Sequence, residues 1–234
     1  MYDESSRLRK AIRIIKILRE SAYIPLKKLK LLDIGASTGI IDNYLSSYLA
    51  KVTGVDIDVD AISYAKKNFK KNNLTFAVAD AMELPFPDNS FDIVICAHVY
   101  EHVPDPAQLF QEVFRVLKPK GLCYLAAVHS WWPIEPHHNL PFLALLPKNL
   151  ANIYMRLTKK GTNYYENLMD PLSLEKSLRN FQITKYNQRI IRNPEKFGFE
   201  DTILSNQYIK PFSWIFSWVS DYFSPTLFWI LEKK

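Results

Sequence analysis

The sequence has only two cysteines, Cys96 and Cys123, and each lies inside an apolar run. Neither takes part in a CxxC or Cys/His pattern, so cysteine spacing gives no sign of a zinc site. Isolated thiols in apolar runs are typical of buried free cysteines in a reducing compartment. We therefore predict free thiols and a cytoplasmic protein.

The charged N-terminal residues have no apolar run behind them, so we predict no secretory signal; the sequence also shows no long internal repeat, low-complexity tract or flexible linker. An aromatic-rich stretch from Tyr208 to Ile230 approaches the length of a membrane span, but Asp221 and the pair Ser224-Pro225 interrupt it. An ionised group near the middle of a bilayer is costly. This stretch therefore predicts a helix over 211–223, which could contact a membrane surface or an apolar substrate, followed by a strand from Thr226 to Leu231.

Net positive charge is confined to the first thirty residues, because basic and acidic residues balance in the rest of the sequence. The net charge of +6 is carried by residues 1–30, which contain nine basic and three acidic residues. A nucleic-acid-binding protein more often carries a basic stripe on its folded body, so we predict no nucleic-acid partner. Residues 5–22 show a helical pattern with basic residues opposite one apolar face, formed by Leu8, Ala11, Ile12, Ile15, Leu18 and Ala22. Such a helix either packs on the core or lies on an anionic membrane surface.

The 234 residues, of which 48% are hydrophobic, suffice for one α/β domain. From residue 29 the pattern alternates between strand and helix, which predicts a parallel sheet with helices on both faces. Right-handed crossovers place the carboxyl ends of such strands at one edge, where ligands bind. We predict strands at 29–34, 51–56, 74–78, 91–97 and 121–128, and helices near 39–50, 59–71 and 105–117.

Acidic residues follow three of these strands. Asp33 precedes a turn containing Gly35 and Gly39, Asp56 ends the second strand, and Asp80 follows the third. Gly35 permits a sharp turn and leaves bare backbone for a ligand, while Gly39 permits close packing of the next helix. The offset from Asp33 to Asp56 is close to that at which a carboxylate reaches a ribose hydroxyl in nucleotide-binding βαβ units. The three acids are therefore predicted to meet at one sheet edge.

An ordered series of motifs carries a family resemblance. The series is Asp33-x-Gly35-x-Ser37-x-Gly39, Gly54-Val55-Asp56, Asp80-Ala81-x-x-Leu84-Pro85-Phe86, Ser90-Phe91-Asp92 and Glu101-His102-Val103. Together these motifs, over residues 29–128, resemble the small-molecule class I S-adenosylmethionine (SAM) methyltransferases. One position departs from the family pattern, because Ser37 stands where the family usually has glycine.

The resemblance implies SAM as the cofactor and a Rossmann-like, seven-stranded, mostly parallel sheet with an antiparallel final strand and a helical lid insertion. It also implies that Asp80 and the Ala81 backbone bind the amino group of the adenine, and that Asp56 binds the ribose. Asp33 and the Gly35 backbone would face the methionine end. The remaining implied cofactor-binding residues are Ala36, Ser37, Gly39, Ile57 and His98.

We divide the single predicted domain of residues 1–234 into a basic N-terminal helix (1–28), a cofactor-binding core (29–128), a lid insertion (129–180) and C-terminal strands with the aromatic helix (181–234). Within 181–234, Gln182 to Arg192 is predicted to be a strand, and Ser173 is predicted to cap a helix in the insertion. An acceptor pocket is predicted from Tyr100, Trp131, Trp132 and His138, with His129 beside them; alternatively the tryptophans only pack the lid. Among the three histidines of the insertion only His137 and His138 are adjacent, and none of the three has i, i+4 spacing, so we predict no metal.

Methyl transfer from a sulfonium needs mainly alignment of the acceptor with the methyl group. A general base is required only if the acceptor must lose a proton, and His102, His98 and His129 are candidates by position. A structural role for the pair Glu101-His102 is an equally open interpretation.

Three functional hypotheses follow. The first is a SAM-dependent methyltransferase acting at O or C of a small, hydrophobic or lipid-linked acceptor, with no predicted oligomeric state. The second is a SAM-binding regulatory or scaffold protein without transfer activity. The third is a nicotinamide-dependent oxidoreductase, which the glycine spacing disfavours because it is Gly-x-x-x-Gly rather than Gly-x-Gly-x-x-Gly.

Overall fold

The strands of a computed structural model form one large sheet and a small hairpin. The structure describes residues 3–200, 217 and 219–234. Its elements are α1 (Glu4–Ser21), β1 (Lys30–Ile34), α2 (Ile40–Leu45), β2 (Lys51–Asp56), α3 (Val59–Asn68), β3 (Leu74–Val78), β4 (Phe91–Ala97), α4 (Pro106–Val116), β5 (Leu117–Ala127), β6 (Ile134–Glu135), β7 (Leu140–Pro141), α5 (Lys148–Leu157), α6 (Pro171–Ser177), β8 (Phe181–Lys185), α7 (Asn187–Arg192) and β9 (Leu227–Lys233).

The large sheet has seven strands in the order β3-β2-β1-β4-β5-β9-β8, and β6 pairs with β7 separately. Strands β1 to β5 run parallel, whereas β9 is antiparallel to both of its neighbours, β5 and β8. The predicted Rossmann-like sheet, with an antiparallel final strand, is confirmed. Its strand order reverses at β1 and β4, which is where the carboxyl edge opens a crevice for ligands.

Alternation along the strands supplies a core on each side of the sheet. Leu31 of β1 packs toward α1, α2 and α3, while Leu32 packs toward α4 and α6. Both cysteines are free and buried in these strands, as predicted. Helix α4 begins as the sequence indicates, because Asp105 accepts hydrogen bonds from two backbone N–H groups and Pro106 is its first residue.

Helix α1 packs on the sheet. Its buried side chains are Ala11, Ile14, Ile15, Ile17 and Leu18. The buried face of α1 therefore differs from the predicted apolar face. Leu8, Ile12 and Ala22 are only partly buried, whereas Ile14 and Ile17 are enclosed. Because the apolar face lies in the core, it is not available for insertion into a membrane surface.

Several predicted boundaries are wrong in the second half of the chain. The predicted strand from Gln182 to Arg192 is strand β8 followed by helix α7, since the chain turns at Tyr186. Helix α6 is capped by Asp170, which accepts from two backbone N–H groups, so Ser173 lies inside the helix. Most of the predicted helix 211–223 lies outside the described residues, and 219–223 form turns.

Two further bounds differ in the first half. Helix α2 ends at Leu45, well before residue 50, and β5 begins at Leu117 rather than at residue 121. Among the described residues, no helix combines the length and the apolar character that crossing a membrane requires.

Replacing Gly39 with alanine is expected to destabilise the fold by about 2–5 kcal/mol. Gly39 has a φ of 74°, and an added Cβ would lie 2.5 Å from the Phe76 ring and 2.9 Å from Ala65. Gly198→Ala is the matched control, because Gly198 has a similar φ of 81° but its added Cβ would meet neighbours at 3.4 Å. Chemical denaturation measures both variants, and equal losses would contradict the packing argument.

Candidate cofactor and acceptor site

The turn after β1 is held against the end of β2 by backbone hydrogen bonds. The N–H groups of Gly35 and Ala36 donate to the Val55 carbonyl at 2.8 and 3.0 Å. Gly35 has a φ of 83°, and an added Cβ would lie 2.6 Å from Val99 Cγ2. The turn therefore requires glycine at this position and presents bare backbone at the carboxyl edge of the sheet.

Asp56 fixes this turn as well as facing the edge. One carboxylate oxygen accepts from the Ser37 N–H at 2.8 Å, and the other accepts from the Asp58 N–H at 2.9 Å. Ser37 itself adopts a positive φ of 50°. The departure from glycine is thus accommodated in a left-handed conformation that the Asp56 carboxylate stabilises.

A first cavity of about 410 Å³ opens at this edge. The predicted site residues that line it are Gly35, Asp56, Ile57, Asp80, Ala81, His98 and His102. Asp80 is exposed, and one of its oxygens accepts from the Met82 N–H at 2.8 Å, which shapes the loop after β3. Two of the three predicted acids therefore converge on one cavity, on the side of β2 and β3.

A second cavity, of about 480 Å³, lies under the N-terminal part of α1 and shares Gly35 and His98 with the first. Its lining combines apolar side chains with basic ones from α1, namely Ile14, Ile41, Tyr124 and Phe228 with Arg7, Lys10 and Arg13. The Arg7 guanidinium reaches the Ser37 hydroxyl at 3.5 Å. The N-terminal helix thus contributes one wall of the site.

Asp33 lies behind the turn instead of in either cavity, and it is paired with a second buried acid. Asp33 is 4% exposed and Asp42, on α2, is fully enclosed. Burial raises the pKa of Asp42 to about 7. Burial and the neighbouring Asp42 carboxylate raise the pKa of Asp33 well above its ordinary range. The two carboxyls therefore share a proton near neutral pH and carry at most about one negative charge.

The other predicted cofactor residues form the turn itself. Ala36 and Gly39 are buried, and Ser37 is partly buried. None of these three residues lines either cavity, so any contact that they make with a ligand would come from the backbone of the turn.

The structure does not bring the predicted acceptor residues to the cavities. Tyr100 is fully buried, and its hydroxyl donates to the Val128 carbonyl, which makes it a core residue. Trp131 is exposed, and Trp132 packs against Phe223. Their side chains line neither cavity.

Two of the predicted histidines are also held elsewhere. His129 is buried, with Nε2 bonded to the Ser224 carbonyl at 2.5 Å, and burial lowers its pKa. The neutral ring is thus a buried structural group. His138 faces Glu166, with Nε2 at 3.3 Å from the carboxylate. Of the three candidate bases, His98 and His102 line the first cavity and His129 does not.

An unpredicted ion-pair network anchors the loop between Asp80 and Asp88. Arg115 donates to both oxygens of Glu112, at 2.7 and 2.8 Å, and to the carbonyls of Leu84 and Phe86. Glu112 in turn accepts from the Leu84 N–H at 2.7 Å. The Arg115 hydrogen bonds hold the pKa of Glu112 below its usual range. The i, i+3 spacing of the two residues on α4 was the available signal in the sequence.

Arg115→Met is expected to lower the free energy of unfolding by about 1–3 kcal/mol, because Glu112 and two carbonyls lose a charged donor. Lys118→Met is the control: its pair with Asp92 is partly exposed, and we expect a change of no more than about 1 kcal/mol. Urea denaturation measures both changes. Equal effects would show that the network does not stabilise the loop.

Comparison with known proteins agrees with this geometry. Residues 32–125 match a family model described as a methyltransferase domain. A ubiquinone biosynthesis O-methyltransferase from Psychrobacter cryohalolentis is 28% identical over 164 residues, which cover 68% of this chain and 60% of the relative. The chain therefore spans less than two thirds of the length of this relative.

Solved structures share the fold. The MccD protein superimposes with a TM-score of 0.61 at 20% identity over 96% of each chain. A SAM-dependent methyltransferase from Mesorhizobium loti gives a TM-score of 0.60 at 16% identity, covering 94% of this chain and 97% of the other. The family match over residues 32–125 and the sheet order are consistent with the class I SAM-dependent methyltransferases that the motif series resembles.

Proposed function

We propose that the chain is a SAM-dependent methyltransferase that modifies O or C of a small, hydrophobic or lipid-linked acceptor. The observation that carries this proposal is the convergence of the Gly35 backbone, Asp56 and Asp80 on one cavity at the carboxyl edge of the sheet. The family match over residues 32–125 supports the reaction class.

The residues of the first cavity fit the cofactor. Asp56 and Asp80 offer carboxylate oxygens to the hydroxyls of a ribose and the amino group of an adenine, and Ile57, Ala81 and Val103 offer apolar surface to the flat base. The Gly35 turn offers bare backbone to the methionine portion. Asp33 lies behind the turn and lines neither cavity, so its proposed role is to support the turn.

SAM supplies an activated methyl group on a sulfonium, so the protein's own contribution is orientation and the exclusion of water. The second cavity is the proposed acceptor site, because it adjoins the first at Gly35 and His98. Its mixed lining suits an acceptor with an apolar body and a polar group. His98 and His102 can take a proton from a hydroxyl acceptor, and residues 129–180 would act as a lid.

The proposed chemical class of the acceptor rests on the names of the relatives and on the residues that line the second cavity. The relatives are named ubiquinone biosynthesis O-methyltransferases, which favours a hydroxyl on a compound with an apolar portion. Purified chain, tritiated SAM and a lipid extract test this assignment directly. Label that partitions into organic solvent supports it, whereas label confined to small water-soluble products contradicts the acceptor class.

Cofactor binding is tested by thermal melting with SAM and with NAD, since a ligand that binds the folded state raises the melting temperature. We expect a rise with SAM alone. A rise with NAD alone would remove the methyltransferase proposal. A rise with SAM but no labelled product in any extract would favour the SAM-binding regulatory or scaffold alternative.

Membrane contact is proposed through the basic surface of α1 instead of its apolar face. Arg9, Lys10 and Arg19 are exposed on this helix. Reversing the charge of Arg9 and Lys10 should reduce co-sedimentation with anionic vesicles and leave the fold intact, whereas deleting the helix would uncover the core. Unchanged co-sedimentation of the charge-reversed protein would remove this proposal.

A further inference from the structure

A cluster of histidine and glutamate side chains joins the loop after β4 to the 129–180 insertion. Glu101, His102 and His137 each place one potential ligand atom within 4.8 Å of the others. The rings of His102 and His137 lie 4.9 Å apart in an edge-to-face arrangement. The backbone already connects the two segments, because the Asn167 N–H donates to the Glu101 carbonyl at 2.8 Å.

Glu101 is the unusual member of this cluster. Its side chain is fully buried, and neither carboxylate oxygen has a hydrogen-bond partner within the part of the chain that the structure describes. His98 Nδ1 lies 3.6 Å from Oε1, which is too far for a hydrogen bond. A buried carboxylate that accepts no hydrogen bond costs several kcal/mol, so a cation bound at this position would stabilise the group.

His137 is oriented in the way that metal-binding histidines usually are. Its Nδ1 is 2.6 Å from the Glu135 carboxylate, which leaves Nε2 as the atom that can bind a metal. Glu135 is itself 1% exposed, and its second oxygen accepts from the His138 N–H at 2.7 Å. The carboxylate that orients the ring is therefore fixed on both sides.

From this geometry we propose that Glu101, His102 and His137 bind a divalent transition-metal ion of the Zn²⁺ or Co²⁺ class, with Glu135 as a positioning residue. Two imidazoles and one carboxylate form a donor set suited to such ions, and three protein ligands leave a coordination position open. Ligand atoms around a tetrahedral zinc lie about 3.4 Å apart, so the three ligand atoms must move closer together on binding, and the exposed positions of His102 and His137 leave their rings room to turn.

The position of the site gives it a use. His102 also lines the first cavity, so the ion would lie at the border between that cavity and the insertion. Its open position could take an oxygen ligand, either water or a hydroxyl of the acceptor, and metal coordination lowers the pKa of such an oxygen. This use depends on the proposed methyltransferase function, whereas binding of the ion does not.

Titration of the chelator-stripped full chain with Co²⁺ tests the site by visible absorption. We expect one ion per chain with a histidine-ligated spectrum. His137→Ala should weaken binding by more than the roughly 10–100-fold that loss of an outer-shell partner causes, and Glu135→Gln should weaken it by about that range with the spectrum retained. His138→Ala is the matched control and should bind Co²⁺ like the parent, because its ring pairs with Glu166.

Melting with SAM monitors the fold of each variant, so metal binding and cofactor binding are read separately. If His137→Ala fails to fold, Glu101→Gln is measured in its place, because this change removes the charge of a proposed ligand with little change in shape. Absence of stoichiometric Co²⁺ binding by the parent, or equal binding by the parent and the ligand variants, overturns the proposal.

Discussion

Replacing Asp56 with alanine is expected to reduce SAM binding below calorimetric detection. Hydrogen bonds to a charged acceptor contribute about 1.5–3 kcal/mol each, so losing the proposed ribose contact alone weakens binding by on the order of 100-fold. The variant also releases the Ser37 N–H, which Asp56 now holds at 2.8 Å, so the turn would lose one of the hydrogen bonds that fix it. The lost ribose contact and the loosened turn would both weaken SAM binding.

Two controls separate these effects. Asp58→Ala removes the N-cap of α3, which should cost about 1 kcal/mol of stability, but Asp58 does not line the first cavity and SAM affinity should stay near that of the parent. Asp56→Asn keeps one oxygen acceptor for the turn without the charge and should bind with intermediate affinity. Parental affinity in Asp56→Ala would refute the proposed role.

Replacing Asp42 with asparagine is expected to stabilise the protein at pH 8 by about 2–4 kcal/mol, since each pKa unit corresponds to about 1.36 kcal/mol. The pKa of Asp42 is raised from 3.8 to about 7 in the folded protein. Ionisation of the folded form is therefore disfavoured, and removing the carboxylate removes that penalty.

The sign of the pH dependence follows from the raised pKa. The folded state binds a proton that the unfolded state releases, so the parent's stability falls as pH rises from about 4 through 7. Asp42→Asn should flatten this dependence, apart from the part due to Asp33. Denaturation at several pH values measures it, with the exposed Asp60→Asn as a control expected to change stability by no more than about 0.5 kcal/mol. Parallel pH profiles for the parent and Asp42→Asn would contradict the assignment.

The parallel half of the fold could be predicted because its signals are local. Each of β1 to β4 is a short apolar run that ends at a polar residue or a turn, and α4 begins with a cap and a proline. Such patterns need no knowledge of distant residues. The convergence of Asp56 and Asp80 followed from the topology, because parallel strands end at one edge.

The predictions that failed depend on tertiary contacts. The alternation from Gln182 to Arg192 continues past β8, but the chain turns where Tyr186 is buried and donates its backbone N–H to the Phe228 carbonyl of β9. The Asp33 and Asp42 pair is invisible to a motif search, because burial and not spacing makes it unusual. His137 and Glu101 are likewise brought together by the fold of the insertion.

The inner position of β9 affects how the protein can be made. During synthesis, β5 leaves the ribosome long before β9, its antiparallel neighbour, has been translated. Until then β5 exposes an apolar edge that can pair with another nascent chain. Closing such a distant strand pair is also slow. We therefore expect yields of folded protein to improve with slower translation or added chaperone, a dependence that arises from strand order and not from the catalytic machinery.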